Sequence, residues 1–175
     1  MGKNQRNYFA ALGFDAIIFG DDWGSQNSLL ISPELWREIF KPRYKKQFEL
    51  VKSFGMDVWF HSCGNIMSII PDFIEIGVDV LNLNQPDIFG IDELAVKFGG
   101  KVCFNCPVDH QTVGIFGNKD EIFNYVRKLG STLGNFNGGL IGNIEEYSSI
   151  GMSNENYNYI VEAFTSLRES DEPSP

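Results

Sequence analysis

The fold is decided by the stretch DVWFHSCGN at residues 57–65, in which a short apolar run passes directly into polar residues. Val58, Trp59 and Phe60 are typical of a buried strand, whereas the residues that follow can bind ligands or react. Four other segments of the chain repeat this pattern of an apolar run followed by polar residues. Strands are predicted at Asp15–Phe19, Asp57–His61, Asp79–Asn84, Lys101–Asn105 and Gly139–Gly142.

The segments between these strands carry apolar residues at helical spacing. One helix is predicted from Leu35 to Phe54, with Ser32 as its N-cap and a break at Pro42. The other helices are predicted at Ile66–Ile76, at Ile91–Phe98, from Asn118 onward with Glu121 as capping-box partner, and at Asn154–Leu167. Strict alternation of strand and helix predicts an α/β fold with a parallel sheet. An eight-stranded barrel needs about 250 residues, so a barrel of 175 residues would be incomplete.

Composition and charge narrow the class of partner. The chain carries 14 Lys and Arg against 23 Asp and Glu, a net charge of −9, which disfavours nucleic acid and anionic membranes as partners. No apolar run is long enough to cross a bilayer and no signal peptide is visible, so we expect a cytoplasmic location. Three cysteines favour thiol or metal chemistry over a disulfide framework. One domain over residues 1–168 and a disordered acidic tail at 169–175 are predicted.

Residues suited to binding and acid-base chemistry follow each predicted strand. In parallel α/β folds, ligands bind at the carboxyl ends of the strands. The candidate catalytic carboxylates are Asp21, Asp22 and Asp109. The candidate substrate-binding residues are Gln26, Asn84, Gln85, His110 and Gln111.

His61 and Cys63 are the strongest candidates for a metal site. Residues i and i+2 of an extended segment face the same side, so an imidazole and a thiolate can converge on one ion. Catalytic zinc takes three protein ligands. The candidates for the third ligand are Cys106, Glu145 and Glu146. Without a metal, His61 would be a hydrogen-bonding pocket residue and Cys63 a small buried hydrophobe.

Other polar positions stay open to two interpretations. Asp21 and Asp22 either act in catalysis or cap a following turn, and in an extended segment only one of them faces the pocket. Asp109 and His110 either meet as an acid-base pair in a loop or leave His110 at the surface or against substrate. Cys103 has the opposite strand parity to Cys106, and we expect it to be packed in the core.

Nine short motifs, which together span about residues 8–167, occur in an order that resembles that of a known protein family. They are GDDWGSQ (20–26), ISPELWRE (31–38), HSCGN (61–65), IIPD (69–72), GVDVLN (77–82), QP (85–86), FGGK (98–101), PVDHQ (107–111) and NEN (154–156). In this order they resemble the uroporphyrinogen decarboxylase superfamily, which includes the methylcobamide:coenzyme M methyltransferases. The resemblance implies a (β/α)8 barrel about twice this length, of which this chain would be the C-terminal half with five βα units.

The His-x-Cys motif at His61 and Cys63 resembles the methyltransferase branch, in which this motif and a later cysteine hold zinc that activates a thiol. When the chain is aligned on Asn156, that later cysteine falls near Glu146, where this sequence has no cysteine. The resemblance therefore implies zinc held by His61, Cys63 and Glu146, with Glu145 or Cys106 as alternatives for the third ligand.

Three functions follow from the resemblance. The first is zinc-assisted methyl transfer linked to a corrinoid, which is either a substrate or a group bound to a partner corrinoid protein, with Asp21, Gln85, Asp109 and Gln111 orienting the substrate. The second is metal-free decarboxylation of a tetrapyrrole, with Asp22 stabilising a protonated pyrrole. The third is an inactive truncated or split-gene subunit, which needs an N-terminal half-barrel or associates with itself. The chain is thus expected to be a methyltransferase or a carboxy-lyase only when completed.

Overall fold

The structure, a computed structural model, describes residues 13–136, 139–145 and 148–171. Five strands alternate with helices along the chain, and this confirms the predicted α/β class. The strands are β1 (Ala16–Gly20), β2 (Asp57–His61), β3 (Val80–Asn82), β4 (Cys103–Pro107) and β5 (Leu140–Asn143). The helices are α1 (Pro33–Ile39), α2 (Lys41–Lys52), α3 (Ile70–Glu75), α4 (Ile91–Phe98), α5 (Val113–Phe116), α6 (Lys119–Leu133) and α7 (Asn154–Asp171).

The chain divides into two compact units, Met1–Asn82 and Leu83–Pro175. In the N-terminal unit, β1 pairs with β2 and β2 pairs with β3, both in parallel. Gly20 lies opposite His61, and His61 lies opposite Asn82. This register brings the carboxyl ends of three strands level, so the loops that follow them start side by side.

The first predicted helix is two helices, separated at the predicted proline. Ser32 caps α1 by accepting a hydrogen bond from the backbone N–H of Leu35 at 3.2 Å, and Pro33 occupies the first turn. Pro42 lies in the first turn of α2, where its missing N–H costs no helical hydrogen bond. The aromatic faces of α1 and α2 pack on β2 and α3 through a cluster of Trp36, Tyr44, Phe48, Phe60 and Phe73.

A buried carboxylate ties these helices together. Asp72 of α3 accepts hydrogen bonds from Arg37 Nε at 3.0 Å and from Lys41 Nζ at 2.7 Å. Lys41 also reaches Glu75 at 2.7 Å, and these two carboxylates raise the pKa of Lys41 against the opposing effect of its partial burial. Arg37 of α1 and Lys41 of α2 are thereby held against α3.

In the C-terminal unit, β4 pairs in parallel with β5, and Pro107 lies opposite Asn143. Helix α6 begins with the predicted capping box, in which Asn118 and Glu121 exchange side-chain-to-backbone hydrogen bonds. The core of the unit consists of Val108, Ile122, Val126, Met152, Ile160 and Ala163. The loop after β4 is anchored by the buried Asn156, whose Nδ2 lies 3.1–3.3 Å from the carbonyl oxygens of three residues, Gly114, Ile115 and Gly117.

Several boundaries differ from the predicted ones. β3 is shorter, because Leu83 already leaves the strand, and β4 begins later, because Lys101 closes a turn on Phe98. Helix α3 begins at Ile70 instead of Ile66. Helix α7 continues to Asp171, into the predicted acidic tail, and residues 172–175 lie outside the described part.

The expectation that Cys103 would be the packed cysteine is wrong. Cys106 is fully buried and Cys103 is half-buried. Parity does not separate them, because β4 is buried on both faces and Cys103 lies at its exposed beginning.

Among the described residues, β1 pairs with β2 alone, and no described strand lies along its other edge. Ile18 in this strand is 69% exposed and the preceding Phe14 is 50% exposed. An apolar side chain on an unpaired strand edge is a place where another strand can add. No helix in the described ranges is both long and apolar enough to span a membrane.

Candidate functional site

Two loops of the N-terminal unit, those after β1 and β2, are joined backbone to backbone. Gly24 N–H donates to the carbonyl of Cys63 at 3.1 Å, and Asn65 N–H donates to the carbonyl of Ser25 at 2.7 Å. A Cβ on Gly24 would lie 2.4 Å from the carbonyl carbon of Gly64, and a Cβ on Gly64, whose φ is +73°, would lie 2.1 Å from the Gly24 oxygen. Only glycine at both positions lets the loops approach this closely.

Three side chains of types that can bind a metal ion lie close together beside this contact. His61 Nε2 lies 3.4 Å from Cys63 Sγ and 3.5 Å from Asp22 Oδ1. One ligand atom from each of the three residues lies within 4.8 Å of the others. Asp22 Oδ1 also accepts the backbone N–H of Cys63 at 2.9 Å, which fixes the carboxylate against the second loop. One oxygen, one nitrogen and one sulfur atom of types that can bind a metal therefore lie close together, on residues that are at least partly exposed to solvent.

A fourth residue orients the imidazole. Asn82, at the end of β3, places its Oδ1 2.6 Å from His61 Nδ1. A carboxamide oxygen only accepts hydrogen bonds, so the proton of the neutral imidazole lies on Nδ1 and the lone pair on Nε2. This is the tautomer in which Nε2 can bind a metal ion.

Asp21 and Asp22 point to different partners, as neighbouring residues of an extended segment do. The carboxylate of Asp21 accepts a hydrogen bond from the hydroxyl of Tyr44. The oxygen of that hydroxyl in turn accepts a hydrogen bond from Trp23 Nε1–H at 2.9 Å. Burial, and then the hydrogen bond to Asp21, raises the pKa of Tyr44, so this hydroxyl stays protonated as a donor. Asp21 thus anchors the loop on α2 and leaves Asp22 for the group with His61 and Cys63.

None of the three residues predicted as the third metal ligand belongs to the group of Asp22, His61 and Cys63 within the described residues. Glu146 lies outside the described residues. Glu145 accepts a hydrogen bond from Asn143 Nδ2 at 2.7 Å. Cys106 is fully buried, and burial raises the pKa of its thiol well above the ordinary value, which disfavours the thiolate that a metal requires. The group found within the described ranges contains Asp22 in the third place and neither of these two residues.

In the C-terminal unit, Asp109 is buried and closes the turn that leads into α5. Its Oδ1 accepts the backbone N–H of Gln111 at 2.8 Å and lies 3.3 Å from the hydroxyl of Thr112. Burial, the largest cause, raises the pKa of this carboxyl. Asp87, which was not among the predicted site residues, accepts a hydrogen bond from the hydroxyl of Tyr125 at 2.8 Å and another from the hydroxyl of Thr112 at 3.2 Å.

The predicted substrate-binding residues differ in exposure. Gln26 and Gln111 are exposed, Asn84 and His110 are half-buried, and Gln85 is buried. Oδ1 of Asn84 is buried and has no hydrogen-bond partner within the described ranges. Each of the five lies in a loop that follows a strand, as predicted.

The comparisons with known proteins agree with this arrangement. No curated protein matches the sequence. Among solved structures, the chain is similar to a methyltransferase from Methanosarcina mazei, with 20% sequence identity and a TM-score of 0.67 over 93% of this chain. The match covers 45% of that chain, so the present chain spans less than half the length of the methyltransferase. At this identity the similarity shows the fold, and it confirms the predicted architecture of part of a (β/α)8 barrel.

A family model extends the agreement from the fold to the sequence. The model described as uroporphyrinogen decarboxylase (URO-D) matches residues 4–167, which include all five strands and the loops that carry Asp22, His61 and Cys63. Because this match covers nearly the whole chain, the chain belongs to the uroporphyrinogen decarboxylase (URO-D) family.

Proposed function

We propose that this chain is the zinc-binding part of a methyltransferase that moves a methyl group from a corrinoid to a thiol. The observation that carries the proposal is the proximity of Asp22, His61 and Cys63, one ligand atom of each lying within 4.8 Å of the others. Carboxylate oxygen, imidazole nitrogen and thiolate sulfur are all zinc ligands, and three protein ligands with an open position are typical of catalytic sites. Zinc bound there would lower the pKa of a substrate thiol, which makes the thiolate available at neutral pH.

The residues of the chain contribute position and charge. Asn82 orients the imidazole of His61 through Nδ1 and so leaves Nε2 for the metal, and the backbone N–H of Cys63 holds the Asp22 carboxylate in place. In the transfer, the substrate thiol loses its proton to solvent and its sulfur attacks the methyl carbon. A carbon–sulfur bond forms, and the cobalt–carbon bond breaks with its electron pair left on cobalt.

We propose that the complete activity requires more than this chain, because the methyltransferase that it matches is more than twice as long. We propose that the rest of the barrel is supplied by an N-terminal half or, failing that, by a second copy. The methyl group would come from a corrinoid, free or held by a corrinoid protein in the cytoplasm. Asp21, Gln85, Asp109 and Gln111 would orient the substrate from the loops.

A zinc and turnover measurement tests this function. The purified chain, dialysed against zinc and then against buffer, should retain about one zinc per chain, because three ligands from one unit suffice for tight binding. With methylcobalamin and a thiol, it should form the methyl thioether once an N-terminal half of a family member is added. A zinc-free chain that decarboxylates a porphyrinogen with that half would contradict the proposal and favour the tetrapyrrole function. Zinc binding without any methyl transfer would favour a subunit of another activity.

Asn82 provides a second test, on a residue that does not touch the metal. The variant Asn82→Ala should bind zinc about 10-fold to 100-fold more weakly, because the imidazole loses the partner that fixes its orientation and tautomer. Asn82→Asp, which still accepts from Nδ1, should retain most of the affinity. Competition with a coloured zinc chelator measures both. Equal affinity of the wild type and Asn82→Ala would contradict this orienting role of Asn82.

A further inference from the structure

The pairing of β1 with β2 shifts by one residue just beyond the two strands. Asp21 N–H donates to the carbonyl of His61 at 3.2 Å. Gly24 N–H donates to the carbonyl of Cys63 at 3.1 Å. The two acceptors lie two residues apart, as in a regular parallel ladder, whereas the two donors lie three residues apart. The first loop therefore contains one extra residue between these hydrogen bonds, which is the arrangement of a β-bulge.

Two backbone N–H groups within this bulge donate to side chains. Cys63 N–H donates to Asp22 Oδ1 at 2.9 Å. Trp23 N–H donates to Ser62 Oγ at 3.1 Å. One side-chain oxygen from each loop thus takes the place of a ladder carbonyl, and the carboxylate that does so is the one that lies beside His61. Bulges of this kind re-aim a side chain next to a functional site.

The Ser62 side chain is held between the two loops, and only 1% of the residue is exposed to solvent. Its hydroxyl accepts the hydrogen bond from Trp23 N–H and donates to the carbonyl oxygen of Cys63 at 3.3 Å. Its backbone N–H donates to the carbonyl of Asn82 at 3.3 Å. Ser62 is therefore hydrogen-bonded to all three segments that position the candidate ligands.

Trp23 is fixed on its other side by the helices of the same unit. Its ring centroid lies 4.4 Å from that of Phe40, and its Nε1–H donates to the hydroxyl of Tyr44. The ring is thus held by the helices and the backbone by Ser62, and Asp22 directly precedes this residue. Loss of the Ser62 hydroxyl would leave the ring in place and release the backbone beside Asp22.

We infer that Ser62 is a positioning residue of the proposed metal site, because its hydroxyl holds the bulge that brings the Asp22 carboxylate to the other two ligands. The inference rests on the proposed function, since it assigns Ser62 a role in a site that holds zinc. In this role Ser62 does not touch the metal. It acts through Trp23 on Asp22, so its removal should weaken the contribution of one ligand and leave those of His61 and Cys63.

Cobalt binding to the full chain tests this role. In Ser62→Ala, the affinity for Co²⁺ should fall about 10-fold relative to the wild type, because a partner that orients a ligand is lost. The sulfur-to-cobalt charge-transfer band of Cys63 should remain. The visible d–d bands should weaken, since water replaces the carboxylate and raises the coordination number. Titration followed by absorption spectroscopy measures the affinity and both sets of bands.

A double-mutant cycle tests whether Ser62 acts through Asp22. In the background of Asp22→Asn, titrated at higher Co²⁺ concentrations, the further change Ser62→Ala should alter the affinity by less than about twofold, because the ligand that Ser62 positions is already lost. A tenfold loss in both backgrounds would overturn the inference, since Ser62 would then act independently of Asp22.

Ser32→Ala is the matched control, because it also removes a serine hydroxyl that accepts a backbone N–H, in this case that of Leu35 in α1. It should lower the midpoint of thermal unfolding and leave the affinity and spectrum of bound Co²⁺ unchanged. The same affinity and spectrum in Ser62→Ala as in the wild type would overturn the inference and leave the metal site standing. Failure of the wild-type chain to bind Co²⁺ would overturn the proposed function, and the inference with it.

Discussion

Replacement of any one of Asp22, His61 and Cys63 should abolish stoichiometric zinc binding. In Asp22→Asn, His61→Ala and Cys63→Ser, we expect the affinity for zinc to fall by about 100-fold or more, because one of three protein ligands is lost and the remaining two cannot close the site. Metal analysis after dialysis measures the loss directly, and chelator competition gives its size. The three variants should retain the circular dichroism of the wild type, since all three side chains are at least partly exposed to solvent.

The control for this prediction is another cysteine of the same chain. Cys103→Ser removes a half-buried thiol on β4 in the other unit, and it should retain zinc in full. A Glu145→Gln variant should likewise retain zinc, because Asp22 occupies the third place in the group that the structure shows. Loss of zinc in Glu145→Gln together with its retention in Asp22→Asn would contradict Asp22 as a ligand. It would favour Glu145, in the loop after β5, as the third ligand.

The second large effect concerns association. The 175-residue chain expressed alone should form dimers or aggregates, because Ile18 is exposed on β1, which has no described strand along one edge. Addition of an N-terminal half should convert this material into a defined complex. Light scattering and calorimetry at several concentrations measure both states. A monodisperse monomer with a sharp thermal transition would contradict the half-barrel interpretation and favour a self-contained α/β domain of five strands.

A pair of surface variants distinguishes association through the edge of β1 from non-specific association through other exposed apolar residues. Ile18→Lys places a charge on the edge and should raise the concentration needed for association by about tenfold, equivalent to about 1.4 kcal/mol. Val96→Lys makes the same change at an apolar residue that is 86% exposed on helix α4, and it should have little effect. If both variants reduce association equally, the contact does not run through β1.

The alternation of strands and helices, and the identity of most loops, could be read from the sequence because local periodicity decides them. The split of the first helix follows from Pro42, and the start of α6 follows from the capping box at Asn118. His61 and Cys63 were predicted to converge because spacing alone sets the parity of an extended segment. These features depend on neighbours in the chain.

The parts that could not be predicted depend on contacts between distant segments. The sequence favoured glutamates or Cys106 as the third ligand, whereas Asp22 reaches the group through the Gly24–Gly64 contact, which no local pattern encodes. Asn82 was missed because the predicted strand ran on to Asn84, and this placed its end two residues too late. The signal for Asn82 in the sequence was its place as the last residue of the GVDVLN motif (77–82).

The Gly24–Gly64 contact limits how this site can diversify. Since neither position accommodates a Cβ, the backbones of the two loops stay in contact, and a chain that exchanges Asp22 or Cys63 for another residue keeps the same spacing between those positions. New specificities can therefore arise by side-chain replacement on an unchanged frame. A directed-evolution library should vary Asp22, Cys63 and Gln26 while both glycines stay constant, since changing either would discard most members before their chemistry is sampled.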